Sequence, residues 1–173
     1  MKNILAFGIG VFLLASCSHV KLDKKEAAVV IRTAREYPKD VEYDVNMADP
    51  ASATKLLNAG LEEEGLVTID KTQKLKDIGQ PIVHFTEKAK PYLLHKDPKY
   101  KNVQVVKLAE ADLGEITAIQ LLEDKKSATV EYTIIHNNIT PFSKLIQQDL
   151  SRPKVKRANL SLFDSGWKLD KSW

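Results

Sequence analysis

The N-terminal end of the chain carries its only cysteine, Cys17, directly after a short hydrophobic segment. Lys2 supplies a positive charge near the start, and residues 4–14 are almost wholly apolar. This layout is typical of a secretory signal, because a membrane-spanning helix needs about 20 apolar residues. An exported chain with one cysteine cannot form an internal disulfide, so the packing of its side chains must hold the fold together.

The hydrophobic segment closes with Leu14-Ala15-Ser16-Cys17. These four residues resemble the lipobox of bacterial lipoproteins. The resemblance implies that Cys17 receives a diacylglycerol, that residues 1–16 are removed, and that the new N-terminus is acylated, for example with palmitate. Ser18 then favours the outer membrane of a Gram-negative bacterium, since an aspartate there commonly marks inner-membrane retention. The alternative is an incidental thiol in an ordinary cleaved signal.

The chain after the signal is long enough for one ordinary hydrophobic core. Charged residues make up 28% of the sequence, and the formal net charge is +3. Such a balance indicates a soluble surface of mixed charge, and together with the export signal it argues against nucleic acid as a partner. We expect a lipid-anchored tether over 17–22 and a single domain over 23–173, with an alternative sub-boundary near 96–102.

The first half of this domain favours helices. Asp23 and the pair Asp49-Pro50 are N-terminal capping signals, and Pro38 and Gly65 are stop signals. The predicted elements are a helix over 23–37, a strand over 41–45, a helix over 50–65, short strands over 66–69 and 81–85, and a helix over 87–94. The stretch 56–94, with Gly65-Leu66-Val67 and Phe85-Thr86-Glu87-Lys88, is similar to the wing region of winged-helix proteins, which implies a local shape only.

The second half favours strands. The predicted elements are strands over 103–110, 113–123 and 128–134, a helix over 141–150, and a final hairpin of strands 158–163 and 167–170. The clearest pattern lies in 128–134, where Ala128, Val130, Tyr132 and Ile134 alternate with Thr129, Glu131 and Thr133. Strict alternation predicts that the first set faces the core and the second faces outward.

The chain ends in Leu160-Ser161-Leu162-Phe163-Asp164-Ser165-Gly166-Trp167-Lys168-Leu169. This ending is similar to the terminal hairpin of cystatin-like and NTF2-like sheets. The predicted fold class is therefore α+β, an antiparallel sheet with helices packed on one face and lying mainly in the N-terminal half.

The sequence offers little chemistry for catalysis or metal binding. Its four histidines, at positions 19, 84, 95 and 136, show no metal-ligand spacing. No GxSxG motif is present, and the lipid would consume the only thiol. No catalytic residue, metal ligand or cofactor is predicted.

A basic cluster, Arg152-Pro153-Lys154-Val155-Lys156-Arg157, follows the last predicted helix. One interpretation is a solvated loop between helix and strand. The other is an electrostatic patch, formed by Arg152, Lys154, Lys156 and Arg157, that contacts anionic headgroups, polysaccharide phosphates or an acidic envelope protein.

These patterns favour a non-catalytic, membrane-anchored envelope lipoprotein with a structural, assembly or interaction role. The first alternative is a small-ligand carrier or sensor with a pocket between sheet and helices, and the second is a lipid-anchored hydrolase. A carrier needs a cavity of roughly 300–1,000 Å³, and a hydrolase needs two titratable side chains within hydrogen-bond reach.

Overall fold

The computed structural model describes residues 21–96 and 99–170, so Cys17 and the predicted signal lie outside the described residues. The helices of this part are α1 (Lys24–Ala34), α2 (Pro50–Asn58) and three 3₁₀-helices, Leu75–Asp77, Glu87–Tyr92 and Pro141–Leu145. The strands are β1 (Lys39–Asn46), β2 (Val67–Ile69), β3 (Val83–Phe85), β4 (Leu93–Lys96), β5 (Val103–Leu121), β6 (Ser127–Asn137), β7 (Lys154–Phe163) and β8 (Gly166–Leu169).

Six strands form the main sheet, in the order β1-β5-β6-β7-β8, with β4 also paired to β5. Strands β2 and β3 form a separate two-stranded sheet, and every pairing in both sheets is antiparallel. The predicted α+β class with an antiparallel sheet is confirmed. Because β4 and β5 pair with each other, segments on both sides of 96–102 belong to one sheet.

The two α-helices begin where their capping residues predict. The Asp23 carboxylate accepts a hydrogen bond from the Glu26 amide at 2.8 Å, and the Asp49 carboxylate accepts bonds from the Ala51 and Ser52 amides at 3.2 and 3.0 Å. These bonds satisfy amides that have no partner inside the helix. Both starts can be read from local sequence.

The predicted extension of α2 to Gly65 is wrong. The helix ends at Asn58 because Gly60 already adopts a left-handed conformation, with φ of 72°. The Leu61 amide then donates to the Leu56 carbonyl at 3.1 Å, which closes the helix in a Schellman-type turn. Gly65, with φ of 71°, forms a second turn that leads into β2.

The predicted helix over 87–94 is a 3₁₀-helix that ends at Tyr92, after which β4 pairs with β5. Pro91 lies inside it and cannot donate an amide hydrogen bond. The Thr86 hydroxyl does not cap this helix; it donates to the Gly65 carbonyl at 2.7 Å.

The predicted helix over 141–150 is also too long, since only Pro141–Leu145 is helical, as a 3₁₀-helix. Thr140 caps it by accepting from the Phe142 amide at 3.2 Å, while its own hydroxyl donates to the Lys107 carbonyl at 2.6 Å. This attachment to β5 places Phe142 in the core with no solvent exposure. The chain then becomes extended at Ile146.

The two strands predicted over 103–110 and 113–123 are one continuous strand of 19 residues, β5. Its first half pairs with β1 and β4, and its second half pairs with β6 from Glu110 to Leu121. Register shifts interrupt the pairing with β1 between Val41 and Glu42, and the pairing with β6 around Ile116. Such irregularities bend a strand without ending it.

The core consists of two clusters that lie along the same face of the sheet. Cross-strand partners share a face, and the following pairs connect the two clusters: Val41 with Ala109, Ala111 with His136, Leu113 with Ile134, Ile119 with Val130, and Val130 with Ala158. The first cluster contains α2 residues, the β2–β3 unit and Phe142, and the second contains α1, the distal half of β5, and Trp167. We call this buried face of the sheet the inner face.

The alternation predicted for β6 is confirmed. Ala128, Val130 and Tyr132 are buried on the inner face, and Ile134 is partly buried against the same cluster. Leu22, assigned from the sequence to the tether, is only 4% exposed and packs in the second cluster. The packed part of the chain therefore includes Leu22.

Candidate functional site

Most of the basic cluster lies in a strand and not in the solvated loop that one interpretation of the sequence predicts, while Arg152 and Pro153 precede the strand. Lys154, Lys156 and Arg157 lie in β7, which pairs with β6 from Ile134 to Ser127. Alternation along the strand places Lys154 and Lys156 on the side of buried Ala158, whereas Arg157 lies on the opposite side. Three of the four charges are thus divided between two faces, and the fourth, Arg152, lies before the strand.

Carboxylates partly neutralise this cluster. Arg157 Nη2 lies 3.0 Å from Glu131 Oε2, and Arg152 Nε lies 3.1 Å from Asp149 Oδ2. Lys154 Nζ donates to Gln148 Oε1 at 3.3 Å. Hydrogen bonds from Ser151 lower the pKa of Asp149, and the nearby Arg152 charge lowers this pKa further, so the carboxylate is held ionised beside the arginine. An anionic surface would have to compete with these internal partners.

A more distinctive surface lies where the β5–β6 and β7–β8 connections meet. Ser127 pairs with Ser161, and the Leu162 amide donates to the Lys126 carbonyl at 2.7 Å, so the two connections are neighbours. Asp124 shapes the first connection by accepting hydrogen bonds from the Ser127 hydroxyl and the Lys126 amide, and these bonds lower its pKa. We call this region the hairpin end and define it by Leu121, Leu122, Leu162, Phe163 and Trp167.

The hairpin end contains an open groove of about 600 Å³. Its lining residues are Lys21, Leu22, Leu121, Leu122, Glu123, Lys125, Leu162 and Trp167. Leu121 and Leu122 are 45% and 47% exposed, and Phe163 beside them is 54% exposed. Exposed apolar side chains that share one surface are typical of a site of contact with another molecule.

A second apolar groove, of about 390 Å³, continues from the first along α1 and β8. Its lining residues are Val29, Val30, Thr33, Ala34, Trp167, Lys168 and Leu169. Val29 is 65% exposed, and Trp167 borders both grooves. The two grooves therefore form an apolar strip around Trp167.

The sequence patterns do not predict the hairpin end, although a local signal is present. Leu121-Leu122 and Leu162-Phe163 are adjacent apolar pairs directly before turn residues. Side chains of a strand alternate between its faces, so an adjacent pair must place one member away from the core. What the sequence could not show is that the two pairs lie side by side.

Among the described residues, one histidine forms a close pair with a carboxylate. His84 Nε2 is 3.0 Å from Asp70 Oδ2, on the outside of the β2–β3 unit, and both side chains are about half exposed. This pair meets the distance requirement for acid–base chemistry, but water reaches it freely. Within the described residues, His, Cys, Asp and Glu form no group of three or more that could hold a metal ion.

Comparisons with protein-family models, with curated proteins and with solved structures find no match to the chain. Across the described part of the chain, no helix is both long and apolar enough to cross a membrane.

Proposed function

We propose that the protein is a lipid-anchored lipoprotein of the cell envelope, in the outer membrane, with a non-catalytic structural, assembly or interaction role. One observation carries the proposal. The first two described residues, Lys21 and Leu22, line the apolar groove of the hairpin end. The predicted lipid site, Cys17, precedes Lys21 by only four residues, so an anchor there would lie at the same end of the domain as the exposed apolar surface.

This arrangement gives the domain a defined orientation. Four residues span at most about 14 Å when fully extended, so a lipid on Cys17 would hold Lys21 and the hairpin end towards the membrane. The first core cluster, with α2 and the β2–β3 unit, would then lie at the far end. In this proposal the helices of the N-terminal half cover the inner face of the sheet and leave the opposite face to envelope partners.

The part of the opposite face that β1 and β5 form supports an interaction role because it is charged. Lys107 there contacts Asp40 at 2.5 Å and Glu110 at 3.6 Å. The hydrogen bond to Asp40 raises the pKa of Lys107, while partial desolvation acts in the other direction. Glu42 lies opposite Lys107 in the pairing of β1 with β5. Such a charged face suits a partner with complementary charges.

The grooves of about 600 and 390 Å³ also favour the alternative, a small-ligand carrier, since their size suits a small molecule. Carriers usually enclose most of the ligand surface, whereas both grooves here are open to solvent. The third proposal, a lipid-anchored hydrolase, rests on the exposed His84–Asp70 pair alone. The open apolar surface supports contact with a larger partner more strongly than either alternative.

Expression of the full-length chain in a Gram-negative bacterium tests the proposal. We expect an intact mass that corresponds to a mature protein starting at Cys17 with diacylglycerol and an acyl chain. Cys17→Ser should leave an unacylated precursor and abolish firm attachment to the outer membrane. A mature N-terminus at another residue, without acyl mass, would overturn the proposal.

Two further measurements refine this experiment. Ser18→Asp should keep the acylation but shift the protein to the inner-membrane fraction, and it serves as the control for processing. Chemical crosslinking of the anchored protein in intact cells, followed by purification, should then recover envelope proteins. Turnover of ester substrates that disappears in His84→Ala would instead favour the hydrolase.

A further inference from the structure

We propose that the hairpin end inserts its apolar side chains into the phospholipid interface of the membrane that holds the anchor. The domain would then lie against the bilayer, fixed by two contacts instead of one. This inference rests on the proposed function, since it takes a lipid on Cys17 as its starting point. It names the occupant of the apolar groove as phospholipid.

The short connection to the anchor is the first argument for this occupant. Lys21 lines the groove, and Leu22 is buried in the second core cluster. The chain from Cys17 to Lys21 extends over at most about 14 Å. With its lipid inserted, Cys17 lies at the headgroup level, so the hairpin end cannot move far from the bilayer. The surface closest to the groove in space is therefore a layer of phospholipid.

The composition of the hairpin end is the second argument. Leu122 and Phe163 are exposed on neighbouring connections, so they can enter the same region of a bilayer. Lysines surround them: Lys21, Lys125, Lys126 and Lys168 are all exposed. Lysine side chains at such a border can bury their methylenes and direct the ammonium towards phosphates.

Lys168 shows how this border is built. Its Nζ lies 5.6 Å from the centre of the Phe163 ring, so the cation and the aromatic side chain occupy one patch. Glu123 and Asp164 lie on the same two connections and offset much of the lysine charge. Binding should therefore depend on apolar burial more than on net charge, and it should tolerate salt that would screen exposed charges.

Environment-sensitive fluorescence on the full-length, acylated protein tests this proposal. The lipid consumes the Cys17 thiol, so one engineered cysteine can be labelled selectively. Asp164→Cys places the label at the hairpin end, and Lys101→Cys places it just before β5, at the opposite end of that strand. Each protein is reconstituted in vesicles of equal parts phosphatidylethanolamine and phosphatidylglycerol, with or without nitroxide-labelled lipid.

We expect a blue-shifted label at position 164, with severalfold stronger quenching by the nitroxide lipid than at position 101, in low and in high salt. The double variant Leu122→Ser/Phe163→Ser should lose this shift and quenching while it still floats with the vesicles. Val155→Ser is the matched control, since Val155 is 57% exposed on β7 but distant from the hairpin end. It should leave the signals unchanged.

The outcomes separate the two proposals. A protein that does not float with the vesicles lacks the anchor, which contradicts the proposed function. A protein that floats but shows equal quenching at positions 164 and 101 overturns the docking proposal alone. A blue shift without nitroxide quenching also overturns it, because the hairpin end is then covered by protein, either a second copy or another partner.

Discussion

Arg157 on β7 lies directly opposite Glu131 on β6, and its Nε donates to Glu131 Oε2 at 3.1 Å. The hydroxyl of Thr117 on β5 donates to the other carboxylate oxygen of Glu131 at 3.2 Å. Glu131 thus links three neighbouring strands on the outward side of the sheet. Exposed ion pairs of this kind stabilise a fold by less than about 1 kcal/mol. The pair nevertheless gives Arg157, one of the four cations of the predicted patch, a carboxylate partner within the protein.

The unequal pairing within the basic cluster leads to the first prediction. If the cluster binds anionic surfaces, Lys154→Ser/Lys156→Ser should weaken binding more than Arg152→Ser/Arg157→Ser, because the arginines already have carboxylate partners. Co-sedimentation with phosphatidylglycerol vesicles measures this, using a chain that begins at Ser18 and retains both core clusters. Binding should vanish at high salt, since charges are screened beyond about 8 Å at physiological ionic strength.

Two other results would change the interpretation of the cluster. Binding that survives both the fourfold substitution to serine and high salt would assign it to the hairpin end. An absence of binding at any salt concentration would leave the cluster as a charged strand that keeps this edge of the molecule soluble.

The parts of the fold that could be predicted from sequence are those set by neighbouring residues. Asp23 and Asp49 cap their helices through contacts within three positions, and the alternation in β6 needs only its own pattern. By contrast, Thr86 and Thr140 bond to carbonyls of distant segments, at Gly65 and Lys107. These tertiary contacts fix where the two 3₁₀-helices begin against the rest of the fold, and no local pattern shows them.

The candidate site escaped prediction for the same physical reason. β7 starts in a basic stretch that looks solvated in sequence, and only its pairing with β6 makes it a strand. The hairpin end forms where the Leu162 amide donates a hydrogen bond to the Lys126 carbonyl. This bond joins two connections that are far apart in sequence. Neither relationship leaves a local pattern. The anchor at Cys17 stays a prediction, since it lies outside the described residues.

The second prediction tests which face of the sheet is buried, with the same chemical change at two sites. Val130 is fully buried in β6, whereas Val155, on the outward side of β7, is 57% exposed. Val130→Ala should lower the free energy of unfolding by about 1–4 kcal/mol through lost burial and the cavity left behind. Val155→Ala should change it by less than about 0.5 kcal/mol. Equal midpoints in urea titrations of the two variants would contradict the assignment.

The third prediction concerns the close approach of β5 and β6 at Gly114. A Cβ atom on Gly114 would collide with Thr133 Oγ1 and would come within 3.1 Å of Ile135 Cγ2. Gly114→Ala should therefore destabilise the fold by about 1–3 kcal/mol, as overpacking does. Denaturant titration measures this loss. Ala118→Gly, on the same strand at an exposed position, is a control that alters backbone freedom without a clash.

The Thr133 side chain allows a second test of the collision at Gly114. Its Oγ1 accepts a hydrogen bond from the Glu115 amide at 2.9 Å, so Thr133→Ala should lower the free energy of unfolding by about 1 kcal/mol. In combination with Gly114→Ala, however, the same change removes the colliding atom. The double variant should be more stable than the sum of the two single effects predicts, and strict additivity in the double-mutant cycle would contradict the proposed collision.

The fourth prediction follows from the cap of α2. The Ala51 amide, the Ser52 hydroxyl and the Ser52 amide all donate to the Asp49 carboxylate, and they lower its pKa from the ordinary value of 3.8. A carboxyl whose folded pKa is depressed contributes stability that is present above its unfolded pKa and is lost as the pH falls through the folded pKa. Asn also caps helices well but does not titrate in this range. The stability advantage of the native protein over Asp49→Asn should therefore be constant near neutral pH and shrink between about pH 5 and pH 2.

Asp49→Ala, which removes the cap, should be less stable than Asp49→Asn at neutral pH. Urea titrations across this pH range measure both differences, and an advantage over Asp49→Asn that does not change with pH would show that the ionised carboxylate contributes nothing beyond the cap.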